Sequence, residues 1–276
     1  MKGDIPLRLY RTALALALML FLAVGCASQT QGERPSGEQG QETKQVELLI
    51  SAAASLTDSM KAVEAAFAQM HPHIKLTFHY AASGTLQQQL EQGAPSDLFL
   101  SAGTKQMAAL VDKQLIAAAD QTNLLTNELV VIVAKDGQAA PGVVQDLAKP
   151  EIKKLSIGQP ESVPAGSYAK ESLVYHKLWD ELQPRLVLAM DVRQVLSYVE
   201  TGNVEAGYVY RTDALSSSKV RVAFAADRAS YKPIEYPAGI LKASAHPAEA
   251  RVFYDFLQSP EARDIFISQG FSIPAK

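Results

Sequence analysis

The sequence predicts an α/β fold built as two lobes. Strand-like and helix-like runs alternate over residues 45–276, a length that supplies ample core for one large or two smaller domains. Some of the strand-like runs are continuously apolar, such as 129–133 (LVVIV), which is typical of strands buried on both faces of a mainly parallel sheet. Run 123–127 has no clear period and run 234–238 contains Pro237, so we interpret these two runs as crossings between lobes.

Each element is predicted from the spacing of its apolar residues: short apolar runs indicate strands, and apolar residues recurring every three or four positions indicate helices. The predicted strands cover 46–51, 74–80, 97–101, 129–134, 155–158, 186–189, 206–210, 220–225 and 234–241. The predicted helices cover 57–70, 85–92, 103–113, 167–179, 192–201, 247–258 and 260–269. Because strands and helices alternate, we expect right-handed crossovers and, in each lobe, a mainly parallel sheet flanked by helices.

The N-terminal segment is predicted to lie outside the folded body. Residues 1–25 combine a basic leader with the apolar run Thr12–Val24, which is too short to span a bilayer and is typical of a signal peptide. Cys26 is the only cysteine, and the run that ends there (LAVGC) resembles a bacterial lipobox. Residues 26–44 lack aromatic and branched apolar side chains and predict a flexible tether. We expect a lipidated Cys26 that anchors the protein to a membrane, with an ordinary secretory signal as the alternative.

The charge balance excludes one class of partner. Removal of residues 1–25, which carry three basic side chains and Asp4, moves the formal net charge from −3 to about −5. The remaining body is mildly acidic and has no basic stripe, so nucleic-acid binding is not expected. An anionic ligand would have to be held by dipoles rather than by a cluster of lysines.

Small residues and hydroxyls follow several predicted strands at the points where helices begin. In open α/β sheets ligands bind beyond the carboxyl ends of the strands, where helix N-termini offer unpaired N–H groups to an anion. Each run alone has a simpler interpretation as a helix cap or a tight turn. Together they predict neutral donors that converge on a small tetrahedral oxyanion from both lobes. The runs are Ala54-Ser55, 81–85 (AASGT), 163–166 (VPAG), Asp191-Val192 and the strand end at Tyr210.

Longer motifs around these runs closely resemble the periplasmic molybdate-binding proteins, which are the solute receptors of molybdate ABC importers. The motifs are AAASLTDSM, GAPSDLFLSAG, ESVPAGSYAKESL, DVRQVLSYVETG and AGYVYRTDA. The resemblance covers essentially the whole body and implies a type II periplasmic-binding-protein fold with the ligand cleft between the lobes. Lobe I is expected to comprise 45–124 and 237–276, and lobe II to comprise 125–236.

The resemblance also implies a set of ligand-binding residues. Two serine hydroxyls, two backbone N–H groups and one phenol would hold the oxyanion, contributed in that order by Ser55, Ser83, Ala165, Val192 and Tyr210. The family run A-S-S-S-T-L is replaced here by 81–86 (AASGTL), so Ala82 and Gly84 stand beside Ser83 in place of serines. We expect no catalytic residue, no cofactor and no free metal ion. The expected partners are molybdate or tungstate, an ABC permease with its ATPase, and the membrane, and the protein is expected to be monomeric.

Alternative functions are weaker on the sequence. A hydrolase lacks a G-x-S-x-G elbow, and His71, His73 and His79 do not match a metal-site spacing. A receptor for sulfate or another tetrahedral oxyanion stays open, because pocket size cannot be read from sequence. Phosphate is less suited, since its bound proton benefits from an acceptor carboxylate. Arg193 and Arg211 could neutralise a dianion or form salt bridges, and the second interpretation is favoured; local pairing is expected for Asp58 and Asp213.

Overall fold

The computed structural model describes residues 45–275. The predicted signal peptide (1–25) and the predicted tether with its lipidated Cys26 (26–44) lie outside the described residues. No helix within 45–275 is long and apolar enough to cross a membrane.

The described chain alternates between strands and helices. Strands β1 to β10 are, in order, Val46–Ala53, Ile74–Ala81, Leu98–Leu100, Ile116–Asn127, Leu129–Ala134, Leu155–Gly158, Leu186–Ala189, Ala206–Tyr210, Val220–Ala225 and Ile234–Leu241. Helices α1 to α9 are, in order, Thr57–Met70, Ser83–Glu91, Thr104–Asp112, Pro164–Tyr175, Trp179–Leu182, Val192–Glu200, Arg211–Leu215, Pro247–Leu257 and Pro260–Ser268. The α/β class predicted from the sequence is therefore confirmed.

The strands form two five-stranded sheets, ordered β2-β1-β3-β10-β4 and β7-β6-β8-β5-β9. We call the first sheet with α1, α2, α3, α8 and α9 lobe I, and the second sheet with α4 to α7 lobe II. In each sheet two pairings are parallel and two are antiparallel, so the sheets are mixed where mainly parallel ones were expected. The reversed strand is β10 in lobe I and β5 in lobe II. Each is the first strand after the chain crosses from the other lobe. It therefore starts at the end of the sheet that faces the other lobe and runs antiparallel to its neighbours.

The strand β4 was not predicted, because its middle is polar (AADQTN) and gives no apolar period. It pairs with β10, and the Asn127–Ile234 pair is the last one at that end of the two strands. The chain therefore leaves the first sheet after Asn127 and returns to it at Ile234, whereas the sequence analysis placed these points at 124/125 and 236/237. Run 123–127, interpreted as a crossing, is the end of a strand.

Two helices begin earlier than predicted, and both starts matter for the site. Helix α2 begins at Ser83 rather than at residue 85, and α4 begins at Pro164 rather than at residue 167. Pro164 occupies the first helical position, where a missing N–H costs nothing. Helix α4 ends at Tyr175, shortly before Lys177 adopts a positive φ of 60°. Ser83 and Ala165 therefore lie in the first turns of helices, not in the loops before them.

The core of lobe I explains why α1 is a helix. Its apolar residues Met60, Val63 and Phe67 recur every three or four positions and are fully buried. The Phe67 ring meets the Phe253 ring of α8 edge to face, with centroids 5.0 Å apart. The C-terminal helices thus pack on the first helix, and the carboxyl end of β1 is fixed against them.

Candidate functional site

One small cavity lies where strands from both lobes end. Its volume is about 10 Å³, which is room for about one water molecule. All five residues named from the sequence are in its wall, and every one of them is buried. They are Ser55, Ser83, Ala165, Val192 and Tyr210.

Lobe I contributes the two serines. Ser55 lies in a short 3-10 turn, Ala54–Leu56, that joins β1 directly to α1. Ser83 is the first residue of α2, and its Oγ accepts a hydrogen bond from the backbone N–H of Ala102 at 2.9 Å. Because that bond uses a lone pair and not the hydroxyl proton, Ser83 keeps a proton to donate into the cavity.

Lobe II contributes two helix N-termini. Ala165 is the second residue of α4 and Val192 is the first residue of α6. The first N–H groups of a helix have no partner within it, and the helix dipole is positive there. Asp191 precedes α6 and its carboxylate accepts the N–H of Gln194 at 2.9 Å. This cap engages the third N–H of the helix and not that of Val192.

Tyr210 ends β8 and reaches across to lobe I. Its hydroxyl donates to the carbonyl oxygen of Ala102 at 3.2 Å. Burial raises the pKa of Tyr210 well above its ordinary value, and the nearby Tyr236 adds to this effect. The phenol is therefore a hydrogen-bond donor throughout the physiological pH range.

The two lobes also touch at a glycine. The N–H of Gly84 in α2 donates to the carbonyl oxygen of Ser162 in lobe II at 2.9 Å. A Cβ at Gly84 would lie 2.5 Å from that oxygen and 2.7 Å from the Cα of Ser162. The replacement of a serine by glycine in run 81–86 thus lies at a place where the backbones of the two lobes are in direct contact.

Arg193 and Arg211 both form ion pairs, and neither is among the residues that line the cavity. Arg193 of lobe II pairs with Asp58 of lobe I, and its Nε lies 3.7 Å from Asp213 Oδ1. Arg211 Nη1 lies 2.9 Å from Glu128 Oε2. Asp58 also pairs with Lys61 on its own helix. It therefore has one local partner and one partner in the other lobe.

The sequence analysis missed residues that support the site from behind. Tyr236 lies 3.0 Å from the hydroxyl of Ser55, and Asn127 lies behind it. Ala102, which contacts both Ser83 and Tyr210, falls within the quoted run GAPSDLFLSAG but was not singled out. Run 234–238 was considered as the start of a strand and as a crossing, but not as a source of residues for the site. A tyrosine in a predicted strand that returns to the cleft is the signal that could have identified Tyr236.

The arrangement suits ligand capture. Within residues 45–275, no group of three or more His, Cys, Asp and Glu side chains is placed to hold a metal ion. The cavity wall instead presents hydroxyls and backbone N–H groups from two lobes that close on each other. That combination defines a two-lobe solute-binding receptor.

Comparison with known proteins gives the family. Residues 48–272 match the model of the bacterial extracellular solute-binding proteins. The chain belongs to this family. The predicted periplasmic-binding-protein fold and the resemblance seen in the motifs are both confirmed.

Individual relatives narrow the comparison. The substrate-binding lipoprotein YvgL of Bacillus subtilis is 45% identical, over 93% of this chain and 95% of its own length. The molybdate-binding protein ModA of Escherichia coli is 37% identical, over 82% of this chain and 89% of its own. Among solved structures, a Clostridium difficile substrate-binding domain assigned to a molybdenum ABC transporter is 41% identical with a TM-score of 0.65. It aligns with 83% of this chain over its full length.

The buried carboxyl of Asp213 yields a pH prediction. Burial raises its pKa from 3.8 to about 7, against the opposing attraction of Arg193 and of the Tyr210 N–H. A carboxyl with a higher pKa in the folded chain stabilises the fold fully below about pH 4, and this contribution is lost as the pH rises through about 7. Asp213→Asn cannot ionise, so its melting temperature relative to wild type should increase between about pH 4 and pH 8.

Thermal unfolding across that pH range checks the prediction. The exposed Asp264→Asn on α9 serves as the control and should follow the wild-type profile. A constant difference between Asp213→Asn and wild type at every pH would show that Asp213 does not titrate as its burial requires.

Proposed function

We propose that this protein is an extracytoplasmic receptor that captures molybdate for an ABC importer. The observation that carries the proposal is the small cavity between the lobes, whose wall gathers five neutral donors from both of them. The relatives described above support the choice of ligand, because they are molybdate-binding and ABC-transporter proteins.

The cavity restricts the chemistry of the ligand. Pockets for drug-sized organic ligands span about 300–1,000 Å³, far above the volume of this cavity, so a small ion is the class of ligand that it suits. Two hydroxyls, one phenol and two helix N-termini can surround the oxygens of a tetrahedral dianion. Among buried wall residues the local dielectric is low, so these dipoles can hold the charge without a cationic side chain. Within this proposal the protein binds and releases its ligand, performs no catalysis and uses no cofactor.

Similar oxyanions test the specificity. Tungstate nearly matches molybdate in size and charge, so we propose that it binds as well. Sulfate is fully ionised but smaller, and hydrogen phosphate carries a proton that needs an acceptor. Asp191 is the carboxylate in the wall, and its Oδ1 accepts the N–H of Gln194 as a helix cap.

A thermal-shift screen tests the ligand directly. Ligand that binds only the folded chain should raise stability by about 2.7 kcal/mol at a hundred times its dissociation constant. Molybdate and tungstate should each shift the melting temperature, whereas sulfate and phosphate at equal ionic strength should not. No shift with molybdate, or an equal shift with sulfate, contradicts the proposal.

Val192→Pro tests the backbone donors. The substitution removes one N–H at the first position of α6, where proline fits a helix and the preceding Asp191 is already extended (φ −155°, ψ 175°). A hydrogen bond to a charged group contributes about 1.5–3 kcal/mol, so molybdate should bind about tenfold to a hundredfold more weakly by isothermal titration calorimetry.

Thr104→Pro is the matched control. It places proline at the first position of α3, after an extended Gly103, and Thr104 is not part of the cavity wall. This variant should bind molybdate as wild type does. If Val192→Pro folds and retains wild-type affinity, the donor role of Val192 is wrong.

The location and partners follow from the same proposal. The family is extracellular, and the relative YvgL is a lipoprotein, which supports a lipid anchor at Cys26. We propose that the anchored, monomeric receptor delivers its ligand to an ABC permease that is driven by an ATPase. The tether 26–44 would let the body move between free solution and the permease at the membrane.

Mass spectrometry of the mature protein tests the anchor. A membrane fraction from an expressing bacterium should yield an N-terminal peptide that begins at Cys26 and carries diacylglyceryl and acyl groups. Cys26→Ser should release the protein from the membrane without changing oxyanion binding. A mature N-terminus elsewhere, without lipid, would refute the anchor and leave the receptor proposal intact.

A further inference from the structure

The hydroxyl of Ser55 in the cavity wall is in contact with a second hydroxyl, that of Tyr236. Its Oγ lies 3.0 Å from the hydroxyl oxygen of Tyr236, a fully buried residue that is not itself in the wall. One of the two hydroxyls must donate to the other. The direction of that bond decides what Ser55 can offer a ligand, because a serine hydroxyl has a single proton.

Asn127 fixes the direction from behind. Its Oδ1 accepts the backbone N–H of Glu128 at 2.8 Å, so its amide nitrogen must point the other way. That nitrogen donates to Thr212 Oγ1 at 2.9 Å and to the Tyr236 hydroxyl oxygen at 3.4 Å. The tyrosine oxygen is thereby occupied as an acceptor, while its own proton still needs one.

Ser55 is the acceptor for that proton. Within residues 45–275, two groups meet hydrogen-bond geometry with the Tyr236 hydroxyl: the amide nitrogen of Asn127 has no lone pair to offer, whereas Ser55 Oγ has two. The Tyr210 hydroxyl lies nearby but does not meet that geometry. Burial raises the pKa of Tyr236 well above its ordinary value, and the nearby Asp213 adds to the effect, so the phenol keeps its proton. The reverse direction would leave a buried phenol proton without an acceptor, which is costly.

We propose that Tyr236 is a positioning residue that holds Ser55 as a donor to the ligand. The chain of donations runs from the Asn127 amide to the Tyr236 hydroxyl and on to Ser55 Oγ, which leaves the serine proton free to point into the cavity. Ser83 is held in the same state by the N–H of Ala102. Each serine thus receives one bond from the protein and has one proton to give to an oxyanion.

This inference rests on the proposed function, and the two can fail separately. If wild-type protein does not bind molybdate, the proposed function fails at that step. If wild type binds, the role of Tyr236 is decided by its variants alone.

A double-mutant cycle with Ser55 provides the test. Tyr236→Phe keeps the ring, which packs edge to face on Tyr210 and Phe271, and removes only the hydroxyl. We expect it to weaken molybdate binding by about threefold to tenfold in calorimetry, the range for one oriented hydrogen bond. In a Ser55→Ala background the same change should alter the dissociation constant less than about twofold, since Tyr236 then has no serine to orient.

Two controls separate positioning from a general loss of structure. Tyr231→Phe removes a half-buried hydroxyl that accepts the Leu129 N–H at 3.3 Å, away from the cavity wall, and should bind as wild type does. Melting temperatures without ligand establish that each variant is folded. Equal losses from Tyr236→Phe with and without Ser55, or no loss with Ser55 present, would overturn the proposal. A Tyr236→Phe variant that did not fold would show that the hydroxyl is needed for structure, which also overturns it.

Discussion

Helix N-termini from both lobes meet at one small cavity, and the rest of the structure positions them there. The carboxyl ends of β1, β2, β6, β7 and β8 all approach it, and short turns pass from these strands to helices. A dianion taken out of water needs donors aimed at every oxygen before it arrives, because dipoles that must reorganise give little stabilisation. Burial of all five wall donors meets that need.

The positive side chains serve the lobes instead of the ligand. Arg193 is next to Val192 in sequence, yet its guanidinium joins Asp58 of lobe I and approaches Asp213. A cation in the wall would attract any anion, whereas oriented N–H and O–H groups favour an oxyanion of matching size that needs only donors. The reversed strands β5 and β10 are each the first strand that the chain forms after it crosses from one lobe to the other.

The sequence allowed prediction of the α/β class, most elements and the strand-to-helix runs around the cavity, because helix periods and such turns are local patterns. The choice of five particular residues within those runs came from the resemblance to the molybdate-binding family. The strand β4 escaped because its polar middle carries no period, and its place is set by pairing with the distant β10. Tyr236 escaped for a similar reason. Its contact with Ser55 joins residues that lie 181 positions apart, and no local pattern connects two residues so far apart in the chain.

Under the proposed function, closure between the lobes affects affinity, as the wall donors do. For a ligand that binds only the closed form, the apparent dissociation constant equals the intrinsic one divided by the fraction of protein that is already closed. The Arg193–Asp58 pair is partly exposed, with Asp58 39% accessible, so it contributes about 1 kcal/mol or less. The Tyr210 bond to Ala102 uses the same proton that an oxyanion would accept. Ligand therefore competes for one lobe-to-lobe contact while it adds several others.

The Gly84–Ser162 backbone bond involves no wall side chain and is independent of that exchange. A side chain at position 84 would separate the two backbones there, so glycine at this position sets how closely the lobes approach around the ligand.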